Sequence, residues 1–93
     1  MGNKVRAHAI ITGRVQGVCF RMETCRALER LDVSGWVRNK RDGSVEAVFE
    51  GEQADVDAAL GWCRQGPRLS RVDDVRITWQ DYIGEFPGFD VTY

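Results

Sequence analysis

The spacing of apolar residues changes from strand-like to helix-like and back, twice, within 93 residues. Residues 5–12 alternate apolar and polar side chains, which is typical of a strand with one exposed face. Residues 20–32 then carry apolar side chains on one side of a predicted helix, at Phe20, Thr24, Ala27, Leu28 and Leu31. This order restricts the chain to folds in which helices cover one face of a sheet.

The second cycle begins with a predicted hairpin over residues 35–51. Asp42-Gly43 separates its two strand-like runs and is a strong turn signal, because glycine adopts positive φ without steric cost. A second helix is predicted within residues 52–67, with its apolar side at Val56, Ala59, Leu60 and Cys63, and Gly66-Pro67 ends it. Strands are predicted over residues 72–79 and within residues 86–93.

The predicted order is therefore β-α-β-β-α-β with a short extra C-terminal strand. It favours an α+β, ferredoxin-like βαββαβ sandwich, in which an antiparallel sheet carries two helices on one face. We expect residues 1–93 to form a single domain. Many functions share this fold, so the fold alone does not identify one.

Charge and cysteine content exclude several classes of protein. The net charge is −1, from 13 basic and 14 acidic residues, which argues against a nucleic-acid binder that relies on bulk charge. Three cysteines without a CxxC pair indicate neither a disulfide framework nor a zinc site, but free thiols in a reducing compartment. The N-terminal residues contain no long apolar run. We therefore expect a cytoplasmic protein that binds neither membranes nor nucleic acid.

The stretch GRVQGVCFR, residues 13–21, joins the first strand to the first helix. A glycine-containing loop at a helix N-terminus can direct several backbone N–H groups at one point, where the helix dipole also favours an anion. Arg21, in the first turn, could add guanidinium donors to phosphate oxygens. Alternatively, Gly13 and Gly17 only shape a turn and the arginines are surface charges. The stretch matches neither a Walker A loop nor a dinucleotide fingerprint.

Two segments of the chain resemble the signature segments of the acylphosphatase family. Residues 13–21 match G-R-V-Q-G-V-x-F-R, with Cys19 in the variable place. Residues 35–51, GWVRNKRDGSVEAVFEG, match G-W-V-x-N followed by the glycines and valine at the family's spacing. The resemblance covers essentially the whole chain, including the order of its predicted elements.

This resemblance implies an enzyme that hydrolyses small acyl phosphates to a carboxylate and inorganic phosphate. By the same resemblance, Arg21 binds the phosphate and Asn39 positions the attacking water. The resemblance also implies that the backbone amides of Val15, Gln16, Gly17 and Val18 cradle the phosphate oxygens. The family uses no metal, no cofactor and no covalent phosphoenzyme. We expect a monomer, and the sequence leaves the acyl group of the substrate open.

Other candidate residues receive lesser roles. His8, the single histidine, is predicted on the polar face of the first strand and away from catalysis. Cys19 lies inside the loop but in a variable place, so we expect no catalytic role for it. Arg14 is either a loop brace and electrostatic attractor or a plain surface charge. Cys25 and Cys63 are expected to pack in or near the core.

Two alternative interpretations have other functions. The first is a non-catalytic ferredoxin-like module that binds phosphate, acyl phosphate or RNA, although the strands lack the aromatic pattern of RNA-recognition domains. The second is the acylphosphatase-like part of the much longer carbamoyl transferases that mature hydrogenases. The chain carries no zinc-finger segments before Tyr93, which favours a free-standing enzyme. Catalysed release of phosphate would separate an enzyme from a binding module.

Overall fold

A computed structural model describes residues 3–92 of the chain. The elements follow the predicted order, with strands β1 to β5 and helices α1 and α2. They are β1 (Lys4–Arg14), α1 (Phe20–Leu28), β2 (Val33–Asn39), β3 (Val45–Glu52), α2 (Gln53–Gln65), β4 (Arg71–Gln80) and β5 (Phe89–Val91). The ferredoxin-like α+β fold is confirmed.

The five strands form one sheet in the order β4-β1-β3-β2-β5. The pairs β1–β3, β1–β4 and β2–β3 are antiparallel, as predicted. β5 departs from the predicted antiparallel sheet, because it pairs with β2 in parallel. After β4 ends, residues 81–88 carry the chain across to the opposite edge, where β5 runs back in the direction of β2.

Both helices pack on one face of this sheet and enclose the core. The residues at the predicted apolar positions of α2, Val56, Ala59, Leu60 and Cys63, are all buried. In α1, Phe20, Thr24 and Leu28 are buried, while Ala27 and Leu31 are only partly so. The helix ends at Leu28, earlier than the predicted stretch, and leaves Leu31 beyond its last turn.

Three connections meet at one end of the strands. β1 and β2 both end there, because each is antiparallel to β3. β4 begins at the same end, since Arg14, the last residue of β1, pairs with Arg71, the first residue of β4. The 15–19 loop therefore lies between the β2–β3 hairpin on one side and the turn before β4 on the other. Tyr93, predicted to join Phe89 and Val91 on one face, lies outside the described residues.

The other face of the sheet carries no helix but is partly covered. Val48 and Glu50 have the opposite strand parity to Val45, Ala47 and Phe49 of the core, and both are nevertheless buried. Glu50 accepts hydrogen bonds from the backbone N–H groups of Ile83 and Gly84, at 2.9 and 3.2 Å. The 81–88 segment thus folds over this part of the sheet. Neither helix within residues 3–92 is long and apolar enough to cross a membrane.

Candidate active site

The loop between β1 and α1 takes its shape from two left-handed residues and two buried anchors. Gly17 has φ of 74° and Cys19 has φ of 60°, and Cys19 is the one non-glycine residue of positive φ among residues 3–92. Val15 and Val18 are buried in the core on either side of Gly17. The loop backbone is therefore pinned at two points and bends outward between them.

The backbone N–H groups of this loop are available to a ligand. Within residues 3–92, none of the N–H groups of residues 16–19 donates a hydrogen bond to the protein. Helix α1 begins at Phe20, so the positive end of its dipole lies beside these N–H groups. The Cys19 side chain, at the N-cap, accepts no capping hydrogen bond from the N–H groups of the helix. Unpaired donors and the positive end of α1 thus meet at the loop.

Gln16 ties the loop to the neighbouring hairpin. Its Nε2 donates to the carbonyl oxygens of Lys40, at 2.6 Å, and of Ser44, at 2.8 Å. These carbonyls belong to the turn that joins β2 to β3, and Ser44 is itself held by Asp42, whose Oδ1 accepts from the Ser44 N–H and hydroxyl. The hydrogen bond from the Ser44 hydroxyl, together with its N–H, lowers the pKa of Asp42. The loop and the hairpin therefore form one braced unit.

Arg21 is the second residue of α1 and is half-buried. Its Nη1 donates to the carbonyl oxygen of Thr92, at 3.3 Å, just beyond β5. Helix α1 also packs against β5 and β2. The C-terminal end of the chain thus helps to orient the guanidinium at the start of the helix.

Asn39 is the last residue of β2, where it pairs with Val45. It has the same strand parity as the buried Val37, so its side chain is on the helix-bearing side of the sheet, where the loop also lies. Its carboxamide makes no hydrogen bond to the protein within residues 3–92. Its donor and acceptor atoms are therefore available to water or a ligand.

These residues line a cavity of about 310 Å³ beyond the ends of β1 and β2. Its walls are Val15, Gln16, Gly17, Cys19, Phe20, Arg21, Met22 and Asn39. Of the residues that the resemblance assigns to the site, Val18 alone does not line it and borders a neighbouring cavity instead. Cys19, Phe20 and Met22 are additional wall residues, and their adjacency to Arg21 in the sequence is the signal that could have identified them.

The remaining candidates lie elsewhere or are unsuited to chemistry. His8 is on the opposite face of the sheet, with Nε2 2.7 Å from Glu46 Oε2. Arg14 is exposed and makes no ion pair within the described part of the chain. Burial raises the pKa of the Cys25 thiol, and raises that of Cys63 to about 12, so both thiols are poor nucleophiles near neutral pH. Their predicted packing role is confirmed.

The chemistry available to the cavity follows from these groups. Several N–H donors and one guanidinium suit an anion with three equivalent oxygens, such as a phosphoryl group. The Asn39 carboxamide, on the hairpin side, can orient a neutral molecule beside that anion. Among residues 3–92, no group of three or more His, Cys, Asp or Glu side chains is arranged to hold a metal ion.

Comparisons with known proteins agree on one family. The family model described as Acylphosphatase matches residues 7–91. A relative named acylphosphatase from Pelotomaculum thermopropionicum is 47% identical over 91 residues, covering 98% of this chain and 99% of the relative. One from Geobacter sulfurreducens is 50% identical over 90 residues, covering 97% and 99%. The crystal structure of acylphosphatase from Bacillus subtilis aligns with a TM-score of 0.91 at 29% identity, over 96% of this chain and 99% of that one.

Proposed function

The chain belongs to the acylphosphatase family, and we propose that Arg21, Asn39 and the N–H groups of the 15–19 loop carry out its hydrolysis of acyl phosphates. The observation that carries the proposal is that Arg21 and Asn39 line one cavity of about 310 Å³ together with four residues of the loop, Val15, Gln16, Gly17 and Cys19. The N–H groups of residues 16–19 and the Asn39 carboxamide have no hydrogen-bonding partner within residues 3–92, so folding leaves them available for the reaction.

The phosphoryl group binds in the loop. Its oxygens accept hydrogen bonds from the loop N–H groups and from the Arg21 guanidinium, whose fork of donors matches a phosphate. In phosphoryl transfer the transition state spreads charge over the three equatorial oxygens. Donors fixed before the substrate arrives stabilise that charge without reorganisation during the reaction.

Asn39 orients the attacking water. Its Oδ1 accepts one hydrogen bond from the water and thereby directs a lone pair at phosphorus. The new oxygen–phosphorus bond forms as the bond from phosphorus to the acyl oxygen breaks, and the electron pair of that bond leaves with the carboxylate. One proton of the water stays on its oxygen, now bonded to phosphorus, and the other passes to a phosphate oxygen.

The leaving group explains why so few residues suffice. The conjugate acid of a carboxylate has a pKa of about 4, so the group departs without a general acid at neutral pH. Catalysis then consists mainly of positioning and charge stabilisation. No metal ion takes part in the proposed steps.

The test is hydrolysis of benzoyl phosphate, followed by ultraviolet absorbance, with EDTA present. We expect Arg21→Ala to lower kcat/KM at least about 100-fold, the usual cost of removing a donor aimed at transition-state charge. Asn39→Ala should lower kcat by a similar factor with little change in KM, because the amide contacts the water and not the substrate. Inorganic phosphate should inhibit Arg21→Ala more weakly than it inhibits the natural protein.

A matched control is Arg26→Ala. Arg26 lies on the same helix, and its exposed side chain pairs with Glu23 alone among residues 3–92, at 3.5 Å. This variant loses the same charge and should keep its activity. Equal losses in Arg21→Ala and Arg26→Ala would reduce the role of Arg21 to bulk charge, and full activity of Asn39→Ala would remove the proposed role of Asn39.

We also propose that residues 1–93 act as a single, monomeric domain in the cytoplasm. The three free cysteines support a reducing compartment. Light scattering should give the mass of one chain, and a thiol titration of protein isolated without reductant and then unfolded in denaturant should find all three cysteines reduced.

A further inference from the structure

We call the cavity of about 310 Å³ the phosphate cavity. A second cavity, of about 490 Å³, adjoins it on the side away from the β2–β3 hairpin. We call it the acyl groove. Gly17 and Cys19 line both cavities. The remaining wall of the acyl groove is mainly apolar, formed by Val18, Trp62, Pro67 and Leu69. The two cavities therefore border the same part of the 15–19 loop.

The walls of the acyl groove are held in place. The Trp62 ring packs edge-on against Phe20, with ring centroids 5.5 Å apart, and Phe20 also lines the phosphate cavity. The Ser70 N–H and hydroxyl both donate to the Pro67 carbonyl oxygen, at 3.0 and 2.7 Å, and close the turn that carries Leu69. Leu69 is nevertheless 73% exposed. A large apolar side chain is thus presented to solvent on a fixed turn beside the active site.

The direction of attack indicates what the groove receives. The attacking and leaving oxygens lie roughly in line through phosphorus. Asn39 is on the hairpin side of the loop, so a water that it orients approaches from there. The acyl oxygen then points to the opposite side of β1, where the turn before β4 carries Pro67 and Leu69.

The charges at the groove favour a neutral occupant. One carboxylate, Glu23, and one guanidinium, Arg68, border it. By contrast, the cavity at the hairpin is bordered by Arg38, Lys40 and Arg41, with Asp42 as its one acid. A substrate with a second anionic group would be drawn toward the hairpin, which lies on the side of the attacking water.

We propose that the acyl groove binds the acyl group of the substrate and makes the enzyme selective for acyl phosphates with an apolar or aromatic acyl part. The proposal rests on the proposed role of Asn39, because that role sets the direction in which the acyl group leaves. Leu69 and Trp62 are its specificity-determining residues.

The first test compares benzoyl phosphate with acetyl phosphate as substrates of Leu69→Ala. We expect kcat/KM for benzoyl phosphate to fall about fivefold, since part of the ring loses an apolar contact, and that for acetyl phosphate to stay within about twofold. Leu69→Met, which keeps the apolar surface, should restore the selectivity. Ile83→Ala is the matched control, because Ile83 is also a large exposed aliphatic residue. It lies in the 81–88 segment, which follows the end of β4 and covers the face of the sheet without helices.

The second test needs no variant. Phenacylphosphonate carries an aromatic ring on a stable phosphonate, and acetonylphosphonate carries a methyl group in its place. In isotope-labelled natural protein, phenacylphosphonate should shift the indole N–H resonance of Trp62. Acetonylphosphonate and inorganic phosphate should shift the loop amides without that change.

Three results would overturn the proposal. One is an equal change in both substrates for Leu69→Ala, which indicates a general structural effect. Another is unchanged selectivity together with a silent Trp62 resonance. The third is a loss of selectivity in Arg41→Met but not in Leu69→Ala, which would place the acyl group at the hairpin. A separate result would show that the proposed mechanism fails: Asn39→Ala would then hydrolyse acetyl phosphate as fast as the natural protein.

Discussion

At the residue scale, the site depends on side chains that shape backbone as much as on those that contact substrate. Arg21 and Asn39 offer the functional groups, but Gln16 sets the distance between the loop and the hairpin through its two hydrogen bonds. Cys19 contributes through its backbone, which holds a left-handed conformation directly before α1.

Gln16→Leu should disturb the site without removing any group from it. The substitution leaves the Lys40 and Ser44 carbonyl oxygens without their donor, which costs about 1–3 kcal/mol of unfolding free energy if they stay shielded from water. We expect kcat/KM to fall roughly tenfold, because Asn39 is no longer fixed relative to the loop. Urea denaturation and benzoyl phosphate kinetics measure the two effects. If Gln16→Leu is less stable but keeps the kcat/KM of the natural protein, the two hydrogen bonds of Gln16 serve stability alone.

Substitutions of Cys19 should follow the steric rules of left-handed backbone. A β-branched residue is a genuine outlier there, whereas glycine adopts the conformation freely. We expect Cys19→Val to lose more than about 1 kcal/mol of unfolding free energy and Cys19→Gly to lose less than half as much. Urea denaturation of the two variants and of Cys19→Ala decides the order. Equal stability of Val and Gly would mean that the loop backbone relaxes.

The limits of sequence-based prediction are clear at this scale. Arg21 and Asn39 stand in two recognisable segments, and the structure brings both to one cavity. The brace from Gln16 escapes prediction because its acceptors are backbone carbonyls 24 and 28 residues away, and such contacts leave no trace in residue type or spacing. The resemblance assigns Val18 to the phosphate site through its backbone amide, and that assignment stays a prediction, whereas its side chain packs in the core and the residue borders the acyl groove.

At the scale of elements, β3 and the 81–88 segment are joined by a buried carboxylate. Glu50 accepts from Ile83 and Gly84 and from Arg6 Nη1, at 3.3 Å. Desolvation raises the pKa of Glu50, but these hydrogen bonds and the Arg6 charge together outweigh it, so the pKa lies below its ordinary value of 4.5. An alternating strand pattern predicts an exposed face for Glu50, because the segment that covers it comes more than 30 residues later.

The Glu50 interaction should make stability depend on acid pH. Because the folded-state pKa is lowered, the carboxylate contributes stability that is fully present above about pH 4.5 and is lost as pH falls through the folded-state pKa. Glu50→Gln should remove that part of the pH dependence and lower the unfolding free energy near neutral pH by about 2–4 kcal/mol, as expected for a buried group left mismatched with Arg6.

Urea denaturation of both proteins between pH 7 and pH 3 measures this effect. Glu85→Gln is the control, since Glu85 also pairs with Arg6, at 2.9 Å, but its side chain is half exposed. An exposed pair of this kind contributes little. Parallel pH profiles for the natural protein and Glu50→Gln would contradict the assignment.

At the scale of the whole molecule, binding at the loop should stabilise the entire fold. The loop joins β1 to α1, Gln16 connects it to the turn between β2 and β3, and Arg21 reaches Thr92, just after β5. A ligand that binds the folded state alone stabilises it by about 2.7 kcal/mol at 100 times its dissociation constant. For a domain of this size that raises Tm by roughly 10–20 °C.

Thermal unfolding with increasing inorganic phosphate measures this stabilisation. Phosphate also stabilises proteins without specific binding, through exclusion from their surface. Arg21→Ala at the same phosphate concentrations reports that general effect, and we expect its Tm to rise much less. Identical increases in the two proteins would indicate that phosphate has no specific site.

The brace between the loop and the hairpin also has a kinetic meaning. Gln16 forms its hydrogen bonds to the Lys40 and Ser44 carbonyl oxygens when the chain folds. The conformational entropy of the loop is therefore lost once, during folding, and not again each time a substrate binds. A loop held by these hydrogen bonds needs no closing motion to reach its binding shape. The speed of the enzyme should then follow the chemistry of the leaving group, so that acyl phosphates with more acidic parent acids are hydrolysed faster.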